Sequence, residues 1–163
     1  MIEEIIESLQ LIPHPEGGYF REYYRSLDVL PVSGLPSRFP SDRVAATSIY
    51  YLLPEGERSV FHRIKSDEVW VAVSGGGLEL VELHESFGSR QTIVGSDIAE
   101  GELPSYVVPA GNWFAARPAV GAGYCLCVCL VAPGFEFADF SIASSDELLT
   151  CFPSEGKLIE QFT

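Results

Sequence analysis

One histidine and one glutamate stand at a spacing that lets two β-strands aim them at the same point. In the run Gly56-x5-His62-x-Ile64-x3-Glu68-x6-Gly75, His62 and the residue two later share one face of a strand, because side chains alternate along extended chain. Glu68 enters from the next strand, and Trp70, two residues on, shares its face. A His and a carboxylate that converge in this way can hold a divalent metal when other ligands join them. Here the residue between them is Ile64. A second run, Pro109-Ala110-Gly111-Asn112-Trp113-Phe114, ends on Phe114 rather than on a donor. His62 and Glu68 are thus the residual metal candidates, and two side chains are too few for a stable protein site, which uses three or more. The spacing predicts no resident metal, and no motif for another cofactor is present.

The same residues describe a pocket instead. It holds one titratable ring (His62), one carboxylate (Glu68), one large aromatic (Trp70) and apolar walls from Ile64 and Phe114, a mix that suits a small, partly polar organic ligand. Arg58 is in phase with His62 and is the expected partner of Glu68; without it, burial should raise the Glu68 pKa. Tyr50, Tyr106 and Tyr124 are the candidates for a phenol near His62. His62 itself reads either as a general base or ligand-orienting group tuned by Asp67 or Glu68, or as a ring hydrogen-bonded in polar surroundings. His14, between Pro13 and Pro15, reads as a turn residue, with a pocket rim as the alternative, since Pro15–Glu22 carries two carboxylates and an arginine. His84 reads as a surface residue. Trp113 and Phe114 are adjacent, so only one of them can face inward. The segment Pro133–Phe140, with three Phe and the carboxylates Glu136 and Asp139, reads as an arm packing its rings on the core with its acids in water.

Charge excludes several classes of partner. The chain carries a formal charge of −13 with only ten Lys and Arg, so nucleic acid, which is bound by neutralising phosphates, is not expected, nor is an anionic membrane surface. No stretch approaches a membrane-spanning apolar run, and Met1–Leu11 carries three Glu rather than the basic start of a secretory signal. A cytoplasmic location is the expectation. Cys125, Cys127 and Cys129 alternate within an apolar run, which places them on one strand face as buried thiols of a reducing compartment, with Cys151 apart.

These residues need a scaffold of short strands. Ile2, Ile5, Ile6 and Leu9 recur at helical spacing and predict a short amphipathic helix over residues 2–11, ended by Pro13 and Pro15. Asp146–Cys151 predicts a second short helix, capped by Ser144 or Ser145. Between them the pattern predicts strands over 19–26, 44–53, 59–64, 68–73, 78–83, 90–94, 105–108, 113–117 and 123–132, rich in Val, Ile, Tyr and Phe and separated by Gly, Pro, Asp and Ser. Leu30–Asp42, with three Pro, predicts an irregular loop. Many short strands in one chain of this length point to a single sandwich or barrel domain over 1–163. Two of the strands, 45–53 and 124–132, are apolar on both faces, so the outer face must be covered by a helix, an arm or a second subunit, and a homodimer is the expectation.

The two runs described first resemble the paired motifs of cupins. Every spacing of the first motif is kept, with Ile64 where its second His belongs; in the second motif Pro109 and Gly111 are kept and Phe114 stands for its His, while Gly101 lies two residues too far upstream. The resemblance narrows to the Cupin-5 family, a group of unassigned function, through Leu11-Ile12-Pro13-His14-Pro15-Glu16-Gly17-Gly18-Tyr19-Phe20-Arg21-Glu22, Ser59–Arg63, Asp67–Trp70, Val108–Ala116 and Ala132–Phe140. Val71 and Ser141 depart from that pattern, where His and Glu are common. The resemblance implies an all-β fold, a double-stranded β-helix (the jelly-roll, RmlC-like cupin barrel) here preceded by a short N-terminal helix, and it implies a homodimer with a small pocket inside the barrel. The expected function is that of a small-molecule-binding cupin with an eroded metal site. The alternative is a metal-independent isomerase or epimerase on a carbohydrate-like substrate, with His62 as general base and a Tyr as acid, by analogy with the dTDP-sugar epimerases of the same fold.

Overall fold

Alternation of buried and exposed side chains builds the molecule as two antiparallel sheets laid face to face. The computed structural model describes residues 1–163. Its strands are β1 (Ile12–Pro13), β2 (Tyr19–Arg25), β3 (Val29–Leu30), β4 (Arg43–Val44), β5 (Thr47–Pro54), β6 (Ser59–Arg63), β7 (Asp67–Gly75), β8 (Leu78–His84), β9 (Gly88–Val94), β10 (Ser105–Val108), β11 (Trp113–Pro118), β12 (Tyr124–Ala132) and β13 (Ser141–Ile142). Helix α1 (Ile2–Leu9) precedes them, and α2 (Ser145–Cys151) and α3 (Gly156–Ile159) follow. One sheet has the order β1-β2-β5-β12-β7-β10 and the other β13-β6-β11-β8-β9, with β3 and β4 paired in a small ribbon. This is the jelly-roll sandwich expected of a cupin.

The interior between the sheets is filled from one side by Tyr51, Leu53, Trp70, Cys125, Cys127 and Cys129 and from the other by Leu78, Leu80, Phe114 and Ala116. The three alternating cysteines share that inner face as free thiols, and burial pushes the thiols of Cys125 and Cys127 up to about 12, so they are inert at neutral pH.

The outer faces are covered by the chain's own ends. The apolar stripe of α1 (Ile2, Ile5, Ile6, Leu9) lies on Leu52 and Leu126 of the first sheet. On the second sheet, Phe61, Val81, Leu83, Trp113 and Ala115 are sealed by Leu148 and Phe152 of the α2 region and by Ile159 and Phe162. Ser144 caps α2, accepting a hydrogen bond from the Glu147 backbone N–H at 3.2 Å. The outer faces of β5 and β12 are thus covered within one chain around Leu52 and Leu126. Exposed apolar side chains remain on the arm around the β3–β4 ribbon (Leu27, Val29, Leu30 and Val32) and on the first sheet (Val73, Val107 and Leu130).

The predicted strands are all present, with two differences. The strand expected over 44–53 is divided into β4 and β5, because β4 turns away to pair with β3. The short strands β1, β3 and β13 and the helix α3 had no periodic run long enough to read. The expected irregular loop of 30–42 holds a single 3-10 turn, Val32–Gly34.

Candidate functional site

Near one end of the sandwich the two sheets part around a cavity of about 90 Å³. Its walls come from the inward positions of β5 (Thr47, Ile49, Tyr51), β7 (Glu68, Trp70) and β12 (Cys129, Val131). His62 and Ile64, at the end of β6, face them. Two segments outside the barrel strands close the rest: His14 and Glu16 from the β1–β2 turn, and Phe135, Phe137 and Phe140 from the stretch after β12.

The β1–β2 turn is held in place by backbone that only glycine tolerates. Gly17 and Gly18 have φ of +112° and +66°, and a Cβ on Gly17 would sit 2.1 Å from the Arg58 carbonyl oxygen. The tight approach lets the Val60 N–H donate to the Glu16 carbonyl at 2.9 Å and the Tyr51 hydroxyl to the Gly17 carbonyl at 2.7 Å. The Glu16 side chain is thereby pressed into the cavity wall, where Ser59 Oγ–H donates to its Oε1 at 3.0 Å.

A single proton then sits between Glu16 and His62. His62 Nδ1 lies 2.8 Å from the Val60 carbonyl, which can only accept, so Nδ1 carries a hydrogen. His62 Nε2 lies 3.1 Å from Glu16 Oε2. His14 Nδ1, 3.5 Å from the same oxygen, accepts the Glu16 backbone N–H at 3.3 Å and is therefore a bare nitrogen. Two nitrogen lone pairs thus face Glu16 Oε2, which favours a hydrogen on that oxygen, while hydrogen bonds from Ser59 and Tyr51 pull the carboxyl the other way. Burial raises the Glu16 pKa and is the largest influence on it; burial also lowers His62 to about 4 against the opposing pull of the Val60 carbonyl. Both directions favour a neutral acid donating to a neutral imidazole over an ion pair.

Glu68 is the second buried acid. It is 7 % exposed, and burial, reinforced by Glu16, pushes its pKa up to about 8. The nearby Trp70 indole favours its anion only slightly. Trp70 Nε1–H is buried and makes no hydrogen bond. At the mouth, Arg25 bridges Glu22, with two contacts of 2.9 Å, and Glu136, at 2.8 Å. Behind the aromatic stretch, Asp139 is buried and gripped bidentately by Arg43 at 2.6 and 2.7 Å.

The profile of the family named Cupin_5, described as "Cupin superfamily (DUF985)", matches residues 3–143. The chain belongs to the Cupin_5 family. It is 30 % identical over 158 residues to an uncharacterized protein of Saccharomyces cerevisiae, YML079W, covering 91 % of this chain and 78 % of that one. Among solved structures it is similar to a hypothetical protein from Leishmania major, at 34 % identity with a TM-score of 0.89 over 99 % of this chain and 97 % of that one. It is also similar to protein SO0799 of Shewanella oneidensis, at 34 % identity with a TM-score of 0.85 over 99 % and 96 % of the two chains.

Set against the two cupin motifs, the donors do not form a metal site. Of the four ligand positions, only His62 and Glu68 carry donors. His62 Nε2 is engaged by Glu16, Ile64 and Phe114 fill the other two positions, and His14, Glu16 and His62, which meet nearby, are turned on one another rather than on a common empty point. A divalent metal therefore does not fit the residues present.

His62, Ile64, Glu68 and Trp70 line the cavity together. Phe114 is inward-facing but lies behind His62, ring centroids 4.0 Å apart, and not on the cavity surface. The remaining site expectations are corrected by register. Tyr50 is one residue out of phase and lies on the outer face, stacked on Tyr23 at 4.2 Å; Tyr51 is the cavity phenol. Tyr106 hydrogen-bonds Glu82 at 2.5 Å, away from the cavity, and Tyr124 pairs with Ser74 at 2.9 Å on the first sheet's outer face. Arg58 turns outward to the Gln161 carbonyl at 2.9 Å, so it does not neutralise Glu68. The His62 partner is Glu16 rather than Asp67 or Glu68. His14 stands in the cavity wall. The acids of 133–140 are not simply in water: Asp139 is buried, and Glu136 is tied to Arg25. Glu16 and Glu22 are the two carboxylates of the Pro15–Glu22 block, whose alternative reading as a pocket rim the cavity lining agrees with, whereas the three Phe were read only as packing on the core.

Proposed function

We propose that this chain binds a compact organic molecule in the barrel cavity, without a metal. The observation that carries the reading is a cavity of about 90 Å³ walled by aromatic rings, with the buried Glu68 carboxyl and the Trp70 indole in its lining. An enclosed, largely apolar cavity with a few convergent polar groups is the usual form of a small-molecule site. Screening a metabolite collection by thermal shift tests it. A ligand that stabilises the parent should lose its effect in Trp70→Phe, which removes the N–H and keeps a ring; equal stabilisation of both would place binding elsewhere. Elemental analysis of protein prepared without chelator should find no stoichiometric transition metal.

The Glu16–His62 pair favours a second reading, a metal-independent isomerase or epimerase of a carbohydrate-like substrate. A neutral imidazole and a neutral carboxylic acid sharing one proton inside a cavity can together remove and return a proton. In this reading the base is the pair, not His62 alone, and the acid is Tyr51 or Glu68 rather than Tyr50, Tyr106 or Tyr124. Deuterium incorporation from D2O into members of a sugar set, lost in Glu16→Gln and His62→Gln, tests it; no incorporation into any member rejects it. A homodimer joined through the exposed arm of Leu27, Val29, Leu30 and Val32, in the cytoplasm, belongs to the same proposal; the free cysteines suit a reducing compartment.

A further inference from the structure

We propose that the cavity is selective for organic cations: its ligand is a compact amine whose ammonium group sits against Glu68 among the aromatic rings. The inference rests on the ligand-binding reading above and names the class of ligand. Four carboxyl groups line the cavity or its mouth, those of Glu16, Glu22, Glu68 and Glu136, against one basic side chain, Arg25. Arg25 is already held by two of the four, Glu22 and Glu136. No cation is left to receive an anionic ligand. His14 and His62, the other groups that could become positive, have their pKa values lowered by burial. The chain's charge of −13 adds a field of the same sign.

The walls favour a cation by a second route. Phe135, Phe137 and Phe140 meet edge to face, with centroids 5.0 to 6.1 Å apart, and Trp70 stands edge to face with Tyr51 at 5.4 Å. Ring faces attract an ammonium ion, and more so where water is excluded. Glu68 is held neutral near pH 7 because its anion has no counter-charge within reach. The groups around it are Glu16, the neutral His62, Cys129 and the Trp70 indole, none of them cationic. An ammonium ion entering the cavity supplies that counter-charge. The Trp70 N–H can then serve the carboxylate it already faces.

Three probes of matched shape test the head-group rule: benzylamine, benzyl alcohol and benzoate. Binding is followed by NMR titration near neutral pH on the Trp70 indole N–H resonance, assigned against Trp113. Benzylamine is expected to bind about tenfold tighter than benzyl alcohol or better, with benzoate weakest. In Glu68→Gln the amine should fall to the level of the alcohol, while the alcohol changes by less than about threefold. If the alcohol or benzoate binds as well as the amine, or if the preference survives in Glu68→Gln, the cation rule is overturned and the ligand-binding reading stands. If no probe moves the Trp70 resonance, both are rejected.

Discussion

Replacing Glu68 by Gln should stabilise the protein, and by an amount that grows with pH. The unfolded carboxyl ionises above its ordinary value of 4.5, while the folded one keeps its proton to about pH 8. Across that window the folded state binds more protons than the unfolded state. Stability therefore falls as pH rises from 4.5 and levels off above about 8. At about 1.4 kcal/mol per pH unit, the full loss is on the order of 5 kcal/mol. Gln keeps the shape and removes the titration. The gain should be about 1 kcal/mol near pH 5 and about 4–5 kcal/mol near pH 8.5. His62 acts at the other edge. It stays neutral in the fold down to about 4 against an ordinary 6.5, so its contribution is lost as pH falls through that range. Because His62 is common to both proteins, the difference between parent and variant isolates Glu68. Urea denaturation of the pair at the two pH values gives the numbers. An equal difference at both would show that Glu68 is ionised in the folded protein and would refute the account of a buried neutral acid.

Three further outcomes are expected. Gly17→Ala should cost about 1–3 kcal/mol from backbone strain alone, more from the clash with the Arg58 carbonyl, and thermal melting should show the loss together with weakened ligand binding, since the turn positions Glu16. Arg43→Ala should cost up to about 3–5 kcal/mol by leaving Asp139 buried, at the lower end because Lys65 stands 3.6 Å from the same carboxylate; denaturant midpoints measure it, and a neutral effect would show that Asp139 reaches water. Light scattering at micromolar concentration should give about twice the chain mass of 17.8 kDa, and Leu27→Asp with Val29→Asp should return it to a monomer.

The fold was legible because short runs rich in Val, Ile, Tyr and Phe are punctuated by Gly, Pro, Asp and Ser turns. Alternation in Tyr124–Ala132 placed Cys125, Cys127 and Cys129 on one inner face, and turn residues bounded every long strand to within two residues of its observed ends, apart from the stretch divided between β4 and β5. The site was legible only where it lies on that alternation. His62, Glu68 and Trp70 follow from counting by two, and their shared cavity needs only the cupin register. Tyr50 shows how narrow the rule is: a slip of one residue moves a side chain through the sheet, and Tyr51, next to it, faces the cavity. Glu16 could not be reached by counting at all. It arrives through two consecutive glycines at positive φ, which fold a turn back onto β6, and no period describes such a turn. The same holds for Phe137 and Phe140, carried by a 3-10 turn after β12. The added polar and aromatic groups of the cavity thus come largely from connections rather than strands. Phe114 fills the space of one lost ligand, and Glu16 engages the one His that remains. The barrel supplied the register, and the connections shaped the chemistry of the cavity: a ring-lined space with its histidines neutral, its one arginine already bound, and a buried acid, Glu68, that has no counter-charge.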